Sequence, residues 1–301
     1  MQDVGIVVVT HQSGDEIGDC LEAAARTGAA IVVVDNASTD GTCAEVRRRG
    51  IGLIANEGNC GFAAAVNQGV RHLDKPFILL LNPDAVLQSG LPALRARCQA
   101  RGVGAAGGKL TGPDGRPQAG FVVRRLPGAA ALIAEALLWN RLWPGNPINW
   151  HYRCLDLDLT RPQPVEQPAG AFLMFRRDVW ERAGGFDESY WPLWFEDVDF
   201  CSRIRDLGYA VYYEPTAVAR HTGGHSIRKI SVENRQLYWY GGFLRYAARH
   251  LPRPRARMVA AAVVLGSVLR LVGDLTRGRG LKRAKAYGNV IKLAFHYLCA
   301  R

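Results

Sequence analysis

Val4-Gly5-Ile6-Val7-Val8-Val9-Thr10 is an unbroken apolar run that closes on a hydroxyl. Continuous rather than alternating hydrophobicity marks a strand covered on both faces, as in parallel sheets flanked by helices. The pattern recurs. Ala30-Ile31-Val32-Val33-Val34 closes on Asp35-Asn36-Ala37-Ser38-Thr39-Asp40-Gly41-Thr42. Residues 52–54 and 76–81 supply a third and a fourth strand, the fourth ending at Asn82-Pro83-Asp84. Helices are expected at 16–26, from about 43, and at 63–72, the last entered through the Gly-rich turn Asn56-Glu57-Gly58-Asn59-Cys60-Gly61-Phe62. Strand and helix in alternation predict an α/β fold with an open, mostly parallel sheet and helices on both faces. Polar residues just past the carboxyl ends of such strands line the ligand crevice. Thr10, Asp35, Asn56 and Asp84 all hold such positions. No G-x-G-x-x-G follows the first strand and no G-x-x-x-x-G-K-[ST] occurs, which argues against a Rossmann dehydrogenase or a P-loop NTPase.

With 301 residues, 48% hydrophobic and 22% charged, the chain can bury a sizeable core, and disorder is not indicated. The 38 Lys and Arg against 27 Asp and Glu give a net charge of +11, most of it beyond residue 228. Such an excess suits a phosphorylated ligand, a nucleic acid or an anionic membrane. No RNP, KH or helix-turn-helix pattern supports the nucleic acid. The seven cysteines are scattered, odd in number and form no C-x-x-C pair, which predicts reduced thiols in a cytosolic protein rather than disulfides or a thiolate zinc site. Met1 leads straight into the first strand, so no signal peptide is expected. The longest apolar run, 258–269, has 12 residues, short of the roughly 20 that a spanning helix needs. No membrane crossing is expected.

The segment 102–168 is less regular, and its Trp139, Trp143 and Trp150 are expected in the core rather than as rings offered to a sugar or lipid. A strand is expected at 168–177. Then comes Trp194-Phe195-Glu196-Asp197-Val198-Asp199-Phe200-Cys201-Ser202-Arg203, with three carboxylates in four positions. Placed at a helix N-terminus, these acids are expected to stay ionised under the helix dipole. An ionised carboxylate there can act as a general base. Asp199 points away from Asp197 on a helix and is expected to be structural, with Arg203 the ion-pair partner of one of the acids. A strand at 210–213 leads to Arg220-His221-Thr222-Gly223-Gly224-His225-Ser226. From about 231, Arg, Ala, Leu and aromatic residues predict two or three helices broken near Pro252-Arg253-Pro254. Such a basic, partly apolar tail can lie on an anionic bilayer, or pack against the first domain or a second subunit.

In this order the motifs resemble those of family 2 glycosyltransferases with the GT-A fold, in particular the rhamnosyltransferase-like members. The resemblance covers roughly 4–226. It rests on Val-Val-Thr10, Asp35-Asn-Ala-Ser-Thr-Asp-Gly-Thr42, Asn56-x-Gly-x-x-Gly61-Phe-Ala with Asn67 and Gly69, and Leu80-Leu-Asn-Pro-Asp84. Gly170-Ala-Phe, Gly184-Gly-Phe-Asp-Glu188, Glu196-Asp-Val-Asp-Phe-Cys-x-Arg203 and His221 complete it. It implies a GT-A nucleotide-diphospho-sugar transferase domain over 1–230 and a basic helical extension over 231–301. By the same resemblance Thr10 and Asp35 hold the nucleotide base and ribose. Asn36, Asn56, Gly61, Asn67, Asn82 and Asp84 are further nucleotide-sugar contacts. Asp84 binds Mg2+ or Mn2+ between the two phosphates, and His221 adds a metal or diphosphate contact. Asp197 is the base, with Glu196 beside it supporting the acceptor loop. His225, Ser226 and Arg228 are secondary candidates for the diphosphate. Asn82-Pro83-Asp84 stands where many members carry Asp-x-Asp, which removes one charge from the expected metal site and is a mark of the rhamnosyltransferase-like members.

The implied activity is inverting transfer of a hexose from a dTDP- or UDP-sugar, dTDP-rhamnose first, to a hydroxyl of a cell-surface glycan or its lipid-linked precursor. The implied location is the cytoplasm, including the cytoplasmic face of the inner membrane, with a homodimer as one assembly and no nucleic-acid partner. A catalytically inactive, nucleotide-sugar-binding scaffold of a glycan assembly complex is the competing expectation, motivated by Asn82 and the long tail.

Overall fold

Both faces of the first strand are covered, which is why its hydrophobicity does not alternate. In the computed structural model, which describes residues 1–223, 229–276 and 281–299, β1 (Val4–Thr10) is followed by α1 (Ile17–Ala25), β2 (Ala30–Asn36), α2 (Thr42–Arg48), β3 (Gly52–Asn56), α3 (Phe62–His72) and β4 (Phe77–Leu81). Val4, Ile6 and Val8 pack with Ile17 and Leu21 of α1 on one side. Val7 and Val9 pack with Ala63, Val66 and Val70 of α3 on the other. The strands run parallel in the order β3-β2-β1-β4.

The remaining elements are β5 (Ala85–Ser89), α4 (Leu91–Gln99), β6 (Val103–Thr111), β7 (Val123–Arg124), α5 (Ala129–Ala136), α6 (Trp139–Leu142) and α7 (Pro147–Tyr152). They continue through β8 (Gln163–Val165), β9 (Gln167–Pro168), β10 (Phe172–Arg176), α8 (Arg177–Arg182), α9 (Glu196–Asp206) and β11 (Ala210–His221). The C-terminal helices are α10 (Val232–His250), α11 (Arg253–Leu275) and α12 (Leu281–Cys299). β10 enters antiparallel between β4 and β6, and the sheet continues through β11 to β5. β11 runs parallel to β6. Inserting β10 draws residues 170 and 171 up to the end of β4, where the Asn82 amide donates to the Ala171 carbonyl at 3.0 Å.

The C-terminal helices pack on the sheet half of the same chain. Tyr240, Phe243, Val259 and Val263 share a core with Leu132, Ala136, Tyr190 and Phe195. A Cβ on Gly266 would collide with the Ala136 carbonyl, so α11 meets α5 backbone to backbone. α11 contains an 18-residue stretch with a mean hydropathy of 1.9, long and apolar enough by length and composition alone to cross a membrane, and a third of that stretch is buried in the protein. Arg270 interrupts the apolar run in sequence, yet it stays in the helix by donating to the Ala136 carbonyl at 2.7 Å. Trp139, Trp143 and Trp150 are not core residues but 51, 54 and 48% exposed. They lie in and beside the short helices α6 and α7.

α9 is tied to α10 by a buried ion network. Asp199 is fully buried and accepts from Arg203 Nε at 2.7 Å, with His250 Nε2 also at 2.7 Å. Burial pushes its carboxyl up, but the His250 hydrogen bond and the Arg203 charge outweigh burial and hold it below the usual carboxylate range. A depressed folded-state value contributes stability above the unfolded value, and this contribution is lost as pH falls through the folded one. Asp199→Ala leaves Arg203 buried without its carboxylate, and stability in a denaturant melt should fall by about 3–5 kcal/mol.

Candidate active site

A cleft of about 1030 Å3 opens where β1 and β4 end, with α9, α5 and α10 contributing to its walls. Small-molecule sites span roughly 300–1,000 Å3, so this one has room for more than a single small ligand. Thr10, Asn36, Asn82, Asp84, Glu196, Asp197 and His221 all line it.

The other expected contacts do not reach the wall. Asp35 accepts from Thr10 Oγ1 at 2.7 Å and from the Ser38 amide and hydroxyl at 2.8 and 2.6 Å, so it braces Thr10 from behind. Asn56 donates to Asn36 Oδ1 at 3.0 Å and to Gln68 Oε1 at 2.9 Å, and Asn36 donates to the Gly61 carbonyl at 3.2 Å. Asn67 donates to the Phe186 carbonyl and to Glu188, and accepts from the Phe186 amide and Trp180 Nε1. All its hydrogen-bonding capacity is used in stapling α3 to the 184–188 turn. Asp35, Asn56, Gly61 and Asn67 thus stand behind the residues that line the cleft and hold them in place. His225, Ser226 and Arg228 lie outside the described residues.

Asp84 follows β4, and its Oδ1 stands 3.4 Å from His221 Nε2. Register between β5 and β11 sets this approach, because Ala85 pairs with His221. Gln118 determines which nitrogen of the ring carries a proton. Its Nε2 donates to the His221 backbone carbonyl at 2.8 Å, which leaves Oε1 to face His221 Nδ1 at 3.0 Å. An amide oxygen only accepts, so Nδ1 bears the hydrogen. In the neutral ring Nε2 then carries a lone pair, and it faces a carboxylate across 3.4 Å. Two acceptors so placed suit a divalent cation. Phe121 stacks on the ring at 5.5 Å and 5°. Among the described residues no group of three or more His, Cys, Asp and Glu side chains is placed to hold a metal ion. Asp84 and His221 could thus supply only part of a shell, and Asn82, water or a ligand's own phosphate oxygens would complete it.

Asp197 sits in the first turn of α9, where its Oδ2 accepts from the Gly170 amide at 3.0 Å and from Gln167 Nε2 at 3.1 Å. Oδ1 accepts from the Val198 amide at 2.8 Å and is the freer oxygen. A Cβ on Gly170 would come 3.0 Å from the Asp197 Cβ, so glycine permits this close approach. Trp194 and Phe195 enter the helix with φ of +78° and +73°. Left-handed backbone costs about 1–2 kcal/mol per non-glycine residue, here offset by Phe195 packing on Phe243, Trp239 and Tyr246.

Glu196 is buried, and its Oε2 finds no hydrogen-bond partner among the described residues. Burial, and then the charge of Asp197, push its carboxyl well above the usual range. Burial raises Asp197 too, by more than the Gly170 and Val198 hydrogen bonds and the Arg124 charge lower it. Burial thus works against the helix dipole at Glu196 and Asp197, whereas Asp199 in the same turn is held below the usual range by its His250 and Arg203 partners.

Arg124, Arg153, Lys229, Asn234, Tyr238 and Trp239 also line the cleft and were not among the expected site residues. Lys229 Nζ donates to the Gln12 carbonyl at 2.5 Å. Only a general excess of Arg and aromatics marks these positions in the sequence.

A family model described as "Glycosyl transferase family 2" matches residues 5–182. Over 302 aligned residues the chain is 28% identical to the N-acetylglucosaminyl-diphospho-decaprenol L-rhamnosyltransferase of Mycobacterium tuberculosis, spanning 92% of this chain and 95% of that protein. Among solved structures, the mannosyltransferase PcManGT of Pyrobaculum calidifontis in complex with GDP-Man and Mn2+ is similar with a TM-score of 0.57 and 18% identity, over 100% of this chain and 88% of that one. Staphylococcus aureus TarS in complex with UDP-GlcNAc gives 0.55 and 15%, over 99% and 82%.

Proposed function

Because the chain belongs to glycosyl transferase family 2 and has the GT-A fold, we propose that it moves a hexosyl group from a nucleoside diphosphate to an alcohol by single displacement with inversion. The observation that carries this reading is that Asp84 and Asp197 line one cleft with room for donor and acceptor together. Asp197 takes the proton from the acceptor hydroxyl as its oxygen bonds to the anomeric carbon. The bond to the diphosphate breaks with its electron pair leaving on the phosphate oxygen. Asp84 and His221 are the residues that would hold Mg2+ or Mn2+. A bound divalent ion neutralises charge on the departing oxygens. A base on the face opposite the leaving group implies inversion, by the logic of inverting glycosidases.

Rhamnose is the first choice of sugar, dTDP the first choice of nucleotide, and a lipid-linked glycan precursor on the cytoplasmic face of a membrane the acceptor. The mycobacterial relative, whose name gives an L-rhamnosyl group and a diphospho-decaprenol acceptor, supports the sugar and the lipid-linked acceptor. A thermal-shift panel of nucleoside diphosphates and nucleotide sugars, with and without Mn2+, tests the donor. Binding to the folded state alone raises stability with the logarithm of concentration over Kd. A dTDP-rhamnose shift that grows with Mn2+, followed by turnover to a product whose anomeric configuration is opposite to the donor's, is the expected result. Absence of any nucleotide-sugar shift, or retention of configuration, rejects the proposal, and donor binding without turnover on any acceptor favours the scaffold.

Two further results are expected. Transfer needs ionised Asp197, whose carboxyl is raised by burial. The acidic limb of kcat/KM should therefore fall off above the ordinary Asp value of about 3.9, with activity lost as pH drops through that limb. Gln118→Leu removes the acceptor that orients His221 and should weaken Mn2+ binding in the presence of nucleoside diphosphate by about 10–100-fold, measured by calorimetry.

A further inference from the structure

Between residues 258 and 275, every exposed side chain of α11 is apolar: Met258, Ala261, Leu265, Val268, Leu269, Val272 and Leu275. The six larger ones are 40–58% exposed. At 1.5 Å per residue the stripe runs about 26 Å, and a continuous exposed apolar band of this kind marks an interaction surface.

Charge decides what covers it. Residues 229–301 hold 15 Lys and Arg against two acidic residues, whereas residues 1–228 hold 23 against 25. A twofold contact between stripes would bring two strongly basic tails together. An anionic headgroup layer attracts them. Arg253 and Arg255 stand exposed at the head of the stripe, at a helix N-terminus where the dipole disfavours cations, and an anionic surface would offset that cost. Beside the stripe, α5 packs on α11 and continues into the half-exposed Trp139 and Trp143, a residue type enriched at membrane interfaces.

We propose that the exposed stripe of α11 seats in the plane of an anionic bilayer surface. The opposite face of the helix, with Val259, Val263 and Gly266, stays buried in the protein, so α11 lies along the membrane rather than across it. α5 lies between this stripe and the cleft: Leu132 and Glu135 line the cleft while Ala136 touches α11. The bilayer thereby holds a lipid-anchored acceptor close to Asp197, a consequence that rests on the transferase reading, whereas bilayer binding does not.

Flotation of the full chain with phosphatidylglycerol–phosphatidylcholine vesicles, without donor, tests the surface. The wild type should float with anionic vesicles, far less with pure phosphatidylcholine, and come off in alkaline carbonate. Leu265→Glu/Leu269→Glu/Val272→Glu should lower partitioning at least about tenfold, with an unchanged thermal midpoint and unchanged thermal shift by nucleoside diphosphate. Wild type that does not float, a triple variant that floats equally well, or release by detergent only (a spanning helix) overturns the proposal. So does a variant that turns a dimer into a monomer without altering flotation, which would make the stripe an interface between copies. Transfer to a short water-soluble acceptor is read separately: if wild type floats but transfers to no acceptor, the transferase reading fails and the bilayer surface stands.

Discussion

Asp197→Asn should lower kcat by about 10³-fold, within the roughly 10²–10⁴-fold that a positioned general base supplies, while the Kd for nucleoside diphosphate stays unchanged. Asparagine keeps the shape and one carbonyl oxygen, which can accept from the Gly170 amide or from the Val198 amide but not from both. The larger loss is basicity. The factor corresponds to about 4 kcal/mol of transition-state stabilisation. Glu196→Gln is the informative companion. Burial and the Asp197 charge both push Glu196 towards its protonated form, which a neutral amide resembles. Its loss in kcat should stay under about tenfold, as for a group that positions rather than exchanges a proton. The reverse outcome, an active Asp197→Asn and an inactive Glu196→Gln, would move the base to Glu196.

What the sequence made legible was local. The unbroken Val4–Thr10 run announced a strand covered on both sides, and α1 and α3 are what cover it. That Arg203 pairs with one of the acids was legible, and the structure makes the partner Asp199, four residues back on the same helix. Residues whose roles depend on distant partners were not legible. Asn67 has its partners more than a hundred positions away, at Phe186, Glu188 and Trp180, and no local pattern shows that they consume all its hydrogen bonds. Tyr238 and Trp239 reach the cleft only because α10 docks beside the 191–195 loop, where Trp191 meets Tyr238 edge-on. The acids at the mouth of α9 were visible, but their proton affinity was not. The helix dipole acts through sequence position, whereas desolvation depends on what the rest of the fold places over them.

Asp84→Ala should abolish the gain in nucleoside-diphosphate affinity that Mn2+ confers and lower kcat/KM by about 10³-fold, comparable to losing a group that stabilises charge on a departing oxygen. The size of the effect follows from the lack of a substitute. Position 82 is Asn, so the wall beside β4 offers one carboxylate rather than two. His221, 3.4 Å away, is left as a single neutral donor, and no third acidic or sulfur ligand joins it among the described residues. Oxygen ligands are what a hard divalent ion prefers, so an imidazole alone holds it poorly. Folding should survive the change, because among the described residues His221 is the side chain that pairs with Asp84, and its ring stays held by Gln118 and Phe121. Calorimetric titration of dTDP with and without Mn2+ separates the possibilities. Wild type should bind more tightly with the ion and Asp84→Ala equally weakly in both. If the variant keeps a Mn2+-dependent gain, the cation sits elsewhere in the cleft and Asp84 does not hold it. Asn82→Asp gives the opposite arm: a second carboxylate should tighten Mn2+ binding before the diphosphate arrives, and the ion would then cease to depend on the donor for its remaining ligands.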